Sequence, residues 1–263
     1  MRPAGAADLG VLLSEIGIQT ARRRRAAGVL LIAAFEISFI GLALAQAFIE
    51  YRLGLSPVIV VAIVWAVWTW WHSWVFPRNR LRHLRRAHAY RAAFVRDIYP
   101  WVTLGFCQMW RPLVNGDTLA KLLPAPPVFL EGLSPVAIVA GAVMSLATLV
   151  MMISAIRSIG IANAAFVPEF RDPGAFVPVQ RGIYAHFMHP LFWSGALFST
   201  ALAIAISTPV ARAIAGVNLA YSLLYGPLES RRLRRVFGPA YAAYAAQVPS
   251  LPVPMAWRKK LSR

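Results

Sequence analysis

The sequence predicts an all-α, polytopic membrane protein with about six transmembrane helices, a C-terminal helical hairpin and a cytoplasmic amphipathic tail. Three observations carry this. Apolar residues make up 59% of the 263-residue chain and the mean hydropathy is +0.58, whereas a soluble domain is nearer half apolar. The excess is gathered into blocks of about 17 to 25 residues, the length that crosses ~30 Å of hydrocarbon as a helix. The basic residues flank these blocks and fall on alternate sides of them, as cytoplasmic loops require.

Residues 1–25 form the N-terminal part. Leu9, Leu12, Leu13, Ile16 and Ile18 stand among polar neighbours, a pattern suited to a helix lying on the membrane surface. Arg22 to Arg25 then precede a first apolar block, about Ala26 to Ile49. Ala45-Gln46-Ala47 resembles a signal cleavage site. The block is long for a leader, however, and carries Glu36 mid-span, so a retained helix is expected. The second block, about Pro57 to Phe76, holds Trp65, Trp68, Trp70, Trp71 and Trp74, most of them expected in an aromatic belt at headgroup level. Seven arginines follow between 78 and 96. The third block, about Ile98 to Val114, is the shortest of the first four and contains Arg111, expected to snorkel outward. Residues 115–133 read as a loop. A fourth block, about Pro135 to Ile156, completes a four-helix region spanning 26–156. Residues 157–263 hold a proline-rich loop, two further blocks (about Pro190 to Ser207 and Val210 to Gly226) and the basic tail.

With six spans, the N-terminus, 77–97, 157–189 and the tail share one side and carry nearly all the arginine. Both termini are then cytoplasmic, and a bacterial inner membrane is the expected location. The net charge of +17 reads as topology signal and contact with anionic lipids. No continuous basic stripe favours nucleic acid as a partner. A single cysteine, Cys107, excludes an internal disulfide and a cysteine-based metal site. Five scattered histidines are too few for a di-iron cluster, so no metal is expected.

The last third carries the chemistry. Two apolar runs of about 17 residues, each roughly 26 Å long as a helix, are joined by Thr208-Pro209. A hairpin of this kind returns both flanks to one membrane face. The leading flank reads Arg181-Gly182-Ile183-Tyr184-Ala185-His186-Phe187-Met188-His189-Pro190. The trailing flank includes Glu229-Ser230-Arg231-Arg232 and then Phe237-Gly238-Pro239-Ala240-Tyr241-Ala242-Ala243-Tyr244. A histidine at a helix start thus faces a glutamate. The helix N-terminus favours a carboxylate, and Glu229 favours an ammonium or sulfonium. The pair suits a zwitterionic or cationic ligand.

These residues resemble the integral-membrane methyltransferases of the isoprenylcysteine carboxyl methyltransferase and phospholipid methyltransferase superfamily. That pattern is Gly-x-Tyr-x-x-x-Arg-His-Pro-x-Tyr-x-Gly, a hairpin, then Glu-Glu-x-x-Leu-x-x-x-Phe-Gly-x-x-Tyr-x-x-Tyr. Gly182, Tyr184, His189, Pro190 and Gly195 match its first half. Glu229, Leu233, Phe237, Gly238, Tyr241 and Tyr244 match its second, over about residues 180–254. The resemblance implies S-adenosylmethionine as cofactor, bound by Tyr184, His189, Pro190, Glu229 and Tyr241 at the cytoplasmic end of the hairpin, and a lipophilic or small methyl acceptor arriving from the membrane lipids. Three positions depart from it. Met188 stands for the arginine, Phe192 for the tyrosine after proline and Ser230 for the second glutamate; Arg181, Arg231 and Arg232 are the candidates to replace the arginine.

Glu36 and Arg232 are the candidate acceptor-side residues. A mid-span carboxylate is costly and is expected to face a bundle interior or cavity. Glu229 has a plain structural reading as the surface partner of Arg231 or Arg232, and Tyr241 and Tyr244 one as interface anchors. Two other functions compete. One is an NADPH-dependent membrane reductase. The other is a non-catalytic membrane scaffold, favoured by Met188 and Ser230.

Overall fold

The computed structural model describes residues 9–18, 21–122, 134–171 and 178–250, all of it helix, turn or irregular chain with no strand. Helix α1 is Leu9–Glu15 and α2 is Ala21–Leu53. Helix α3, Pro57–His83, passes through a π-helical turn at Trp71–Val75. Helix α4, Ala89–Ala93, continues through a second π-turn, Phe94–Ile98, into α5, Tyr99–Cys107. Helices α6, Gly116–Leu122, and α7, Pro135–Ile159, precede the short α8, Ile161–Ala164. Helices α9, Pro190–Ile206, and α10, Pro209–Phe237, form the hairpin, and α11 is Pro239–Gln247.

Among the described residues, three helices are long and apolar enough to cross a membrane: Ala26–Leu53 within α2, Pro57–His83 and Pro135–Ile159. Pro190–Ile206 is a shorter apolar helix. Val29, Leu30, Ile37, Ile59, Val136 and Val143 are each more than half exposed on α2, α3 and α7. Such outward apolar faces point to a membrane protein. Association of helices in lipid relies on close packing, since the tails are as apolar as the side chains. Gly141 supplies it between α7 and α9, where a Cβ would lie 2.7 Å from the Ala201 carbonyl oxygen.

The hairpin turn is two residues long. Ser207 adopts a left-handed conformation, and Thr208 accepts a hydrogen bond from the Ala211 N–H at 3.1 Å, capping α10 ahead of Pro209. Helix α10 does not stop at Gly226. It runs through Pro227 into the polar segment and ends at Phe237. Gly238, with φ +57°, breaks the chain, and Pro239 opens α11.

Several expectations are corrected. Leu12 and Leu13 of α1 are buried and Leu12 joins the main core, so this helix packs into the protein. Trp65, Trp68 and Trp71 are core residues; only Trp70 and Trp74 remain as belt candidates. The Trp65 ring stacks on Tyr221 at 3.7 Å and its N–H donates to Asn218 Oδ1 at 2.7 Å. An indole N–H accepts burial when given such a partner. Residues 116–122, expected in a loop, form α6. Arg111 does not snorkel. It is fully buried and ion-paired with Glu50, and its Nη1 donates to the carbonyls of Ala43 and Val114 at 3.1 and 2.7 Å. Glu50 also accepts from the Gly116 N–H at 3.0 Å. Glu36 does not face the interior; it is exposed. At its level α2 packs through Phe35, Ser38 and Phe39, against Tyr99 and Phe106. Glu36, one residue on from Phe35, is turned about 100° away.

Candidate functional site

Where the trailing end of the hairpin meets α3, α8 and the 3₁₀ turns Val167–Phe170 and Gly182–Ala185, the protein forms a partly open cavity of about 140 Å³. Its lining includes Tyr184, His189, Glu229, Arg232 and Tyr241. Five of the seven residues singled out from sequence therefore meet there. Pro190 is buried at the first turn of α9 and directs the helix without lining the space. Glu36 lies elsewhere.

The leading flank is bent into place by backbone. Gly182 has φ +59°, and a Cβ on it would come within 2.4 Å of Ser158 Oγ. Only glycine suits both the conformation and the approach. His189 is also left-handed, at φ 58°. Its Nε2 is hydrogen-bonded to Ser230 Oγ at 2.8 Å across the hairpin. The tail closes the outer side. The Met188 N–H donates to the Pro249 carbonyl at 2.8 Å and the Trp193 indole to Ser250 at 3.2 Å. Tyr244 donates to the Tyr184 carbonyl at 2.9 Å.

Two residues that break the sequence pattern share a partner. The Tyr241 hydroxyl lies 3.2 Å from Ser230 Oγ and 3.6 Å from Met188 Sδ. A site where the pattern places a cation and an anion is thus filled by a neutral thioether and hydroxyl joined through one tyrosine. Met188→Arg alone is expected to destabilise the protein by roughly 2–4 kcal/mol, since the new charge would be buried unpaired. Adding Ser230→Glu is expected to recover more than half of that loss. A double-mutant cycle by thermal unfolding in detergent checks it.

The central acid of the site is Glu229. It is 7% exposed and accepts from Tyr225 at 3.0 Å and from Arg232 Nε at 2.8 Å. Arg232 also pairs with Glu169, and its guanidinium lies 4.7 Å over the Phe166 ring. Burial raises the Glu229 carboxyl to about 8, against the lowering effect of the Tyr225 hydroxyl. Burial lowers the Arg232 guanidinium to about 9 and the His189 imidazole to about 4. The phenols of Tyr184, Tyr241 and Tyr244 are raised by burial and stay neutral.

The His189 value has a stability consequence. Unfolded, the imidazole takes a proton near pH 6.5; folded, it resists until about pH 4. Stability is therefore lost as pH falls through that window, by roughly 3 kcal/mol in all. His189→Gln is expected to remove this component, read as the difference between the two proteins' unfolding temperatures from pH 7 to pH 4.

Sequence reasoning missed five contributors. His72, in the π-turn of α3, lies 2.9 Å from the Tyr225 oxygen and 3.5 Å from Glu229 Oε2, with Trp68 stacked on it at 5.0 Å. His72, Tyr225, Glu229, Arg232 and Glu169 form one polar chain behind and along the cavity. Asn163, on α8, contributes a buried Oδ1 with no hydrogen-bond partner. Glu169 and Phe166 come from the proline-rich loop. The remaining signal was weak: a histidine among tryptophans, and polar residues in a loop without a motif.

As an acceptor of ligands, the cavity offers adjacent acid and base groups, an unpaired amide oxygen and an aromatic wall of Phe166, Phe192, Phe237 and Trp68. No family model matches this chain, and no match arises among curated proteins or solved structures.

Proposed function

We propose that this protein is an integral-membrane methyltransferase that uses S-adenosylmethionine and acts on a lipophilic or small acceptor at the cytoplasmic face. One observation carries the reading. Residues from two flanks of a hairpin, about 40 positions apart, line one cavity around the buried Glu229 carboxyl and its Arg232 partner. The resemblance in the sequence selects those same residues.

The lining fits the cofactor's chemistry. Glu229 and Glu169 suit its ammonium and sulfonium charges, and Arg232 suits its carboxylate. The aromatic wall suits an adenine ring, and the unpartnered Asn163 Oδ1 would accept from its exocyclic amine. When bound, the sulfonium supplies an electrophilic methyl group. This chain's part is positioning. His189, tied to Ser230, and Tyr184, tied through its carbonyl to Tyr244, fix the walls. Arg232 and Glu229 orient the ligand, and the tail at 248–250 excludes water. Held in line, donor and acceptor need no covalent intermediate. Val102 and Phe106 of α5, with Trp68, line the apolar end, which favours an acceptor entering from the bilayer. The positive-inside rule supports six crossings: α2, α3, the segment around α5, α7, α9 and the first part of α10.

The test is cofactor titration of the purified protein, with methylated products sought by mass spectrometry in membrane lipid extract. Saturable binding of S-adenosylmethionine below ~1 mM is expected, with transfer to an extractable acceptor. Binding of NADPH in its place would favour a reductase. Binding without transfer would favour a scaffold that keeps the pocket.

A further inference from the structure

We propose that a second recess, lined by Arg86, His88, Arg91 and Arg96, is a binding site for a phosphate-bearing anion, the headgroup of an acidic phospholipid. It has a volume of about 280 Å³ and lies at the turn between α3 and α4, away from the cavity around Glu229. The inference stands on the chain's being a membrane protein and not on its methyl-donor chemistry.

Local structure gathers the charges. The chain reverses between α3 and α4, with the Arg86 N–H donating to the His83 carbonyl at 2.9 Å. His88 takes a left-handed conformation, φ 58°, and its carbonyl accepts from Ala92 at 3.2 Å. In a regular α-helix residues five apart point in different directions. The π-turn at Phe94–Ile98 widens the winding, and Arg91 and Arg96 both line the hollow. With Arg86 they place three arginines around one hollow.

Among the described residues, none of Arg86, Arg91 and Arg96 has an ion-pair partner. The neighbouring carboxylate, Asp97, is buried and already engaged by His83 at 2.6 Å and Asn79 at 2.9 Å. Glu15 is paired with Arg171. Three arginines without ion-pair partners around one hollow suit a tetrahedral oxyanion, which offers several acceptor oxygens at once. The surroundings point to a lipid source. The recess lies beside the end of the 27-residue apolar helix Pro57–His83, and Leu81, Leu84 and Val95 are exposed near it. An apolar rim beside a phosphate site suits acyl chains leaving a headgroup.

The full chain would be reconstituted in phosphatidylcholine vesicles with and without phosphatidylglycerol, and retained lipid read by native mass spectrometry. Phosphatidylglycerol is expected to be retained at least ~10-fold over phosphatidylcholine. The paired variant Arg91→Ala/Arg96→Ala is expected to lose that preference by about tenfold, while Arg82→Ala/Arg85→Ala, which removes the same charge outside the recess, changes it less than ~2-fold. Equal losses in both variants would mean diffuse attraction and overturn the site, as would no preference in the wild type. Inorganic phosphate is the second arm. Displacement of the lipid by millimolar phosphate would assign the site to a soluble phosphate; persistence of the lipid would assign it to the headgroup. An unchanged unfolding temperature in Arg91→Ala/Arg96→Ala confirms that the loss is not one of folding.

Discussion

Glu229→Gln is expected to weaken S-adenosylmethionine binding by roughly 10- to 100-fold, the effect of removing a charge-assisted contact worth about 1.5–3 kcal/mol. The substitution keeps the shape of the side chain and leaves Arg232 its pair with Glu169, so the fold should survive. Its pH signature separates this from general damage. Burial holds the Glu229 carboxyl near 8, so a cationic ligand meets more carboxylate as pH rises. Wild-type affinity should climb from pH 6 to about pH 8 and level off; the glutamine variant should be flat. Stability should run the other way. A carboxyl raised by folding favours the folded state when protonated, so wild-type stability falls as pH rises from 4.5 towards 8. Glu229→Gln removes that slope. Unchanged affinity in the variant would remove Glu229 from the binding machinery.

The second large effect concerns Glu50 and Arg111. Each is 1% exposed or less, and each would be left as an uncompensated buried charge if the other were lost. Glu50→Leu and Arg111→Met are each expected to cost about 3–5 kcal/mol. The double variant should cost less than either single one, because an apolar pair of similar volume avoids the isolated charge. The Gly116 N–H, which Glu50 accepts at 3.0 Å, accounts for part of what remains. Thermal unfolding of all four proteins in one detergent gives the cycle. Single variants within ~1 kcal/mol of wild type would show that water reaches the pair.

The hairpin could be read from sequence because its physics is local. Two apolar runs of matching length around Ser207-Thr208-Pro209 admit few other arrangements. His189 and Glu229 could be read because a single turn fixes where their flanks return. What escaped depended on contacts between distant segments. His72 joins the site through a π-turn that no hydropathy pattern reports. Asn163 and Glu169 arrive from a loop whose path is set by packing on Tyr90 and Phe76, not by a local repeat. The error over Arg111 has the same origin. An arginine near the end of an apolar block looks able to reach water, and only the placement of Glu50, 61 residues earlier, makes burial the better solution. The tryptophans at the end of the second apolar block suggest belt residues by position alone. Trp65 instead finds Asn218 on a helix about 150 residues away.

Pro227 lies inside α10, two residues before Glu229. Lacking an N–H, it gives nothing to the Leu223 carbonyl one turn earlier. The helix is thereby divided into a mainly apolar stretch and a polar stretch carrying Glu229 and Arg232, with one main-chain tie fewer between them. A small rotation of the polar stretch can be taken up at 223–227 without disturbing the turns that hold the hairpin together. The missing tie makes 223–227 the place where the polar stretch can bend relative to the apolar one.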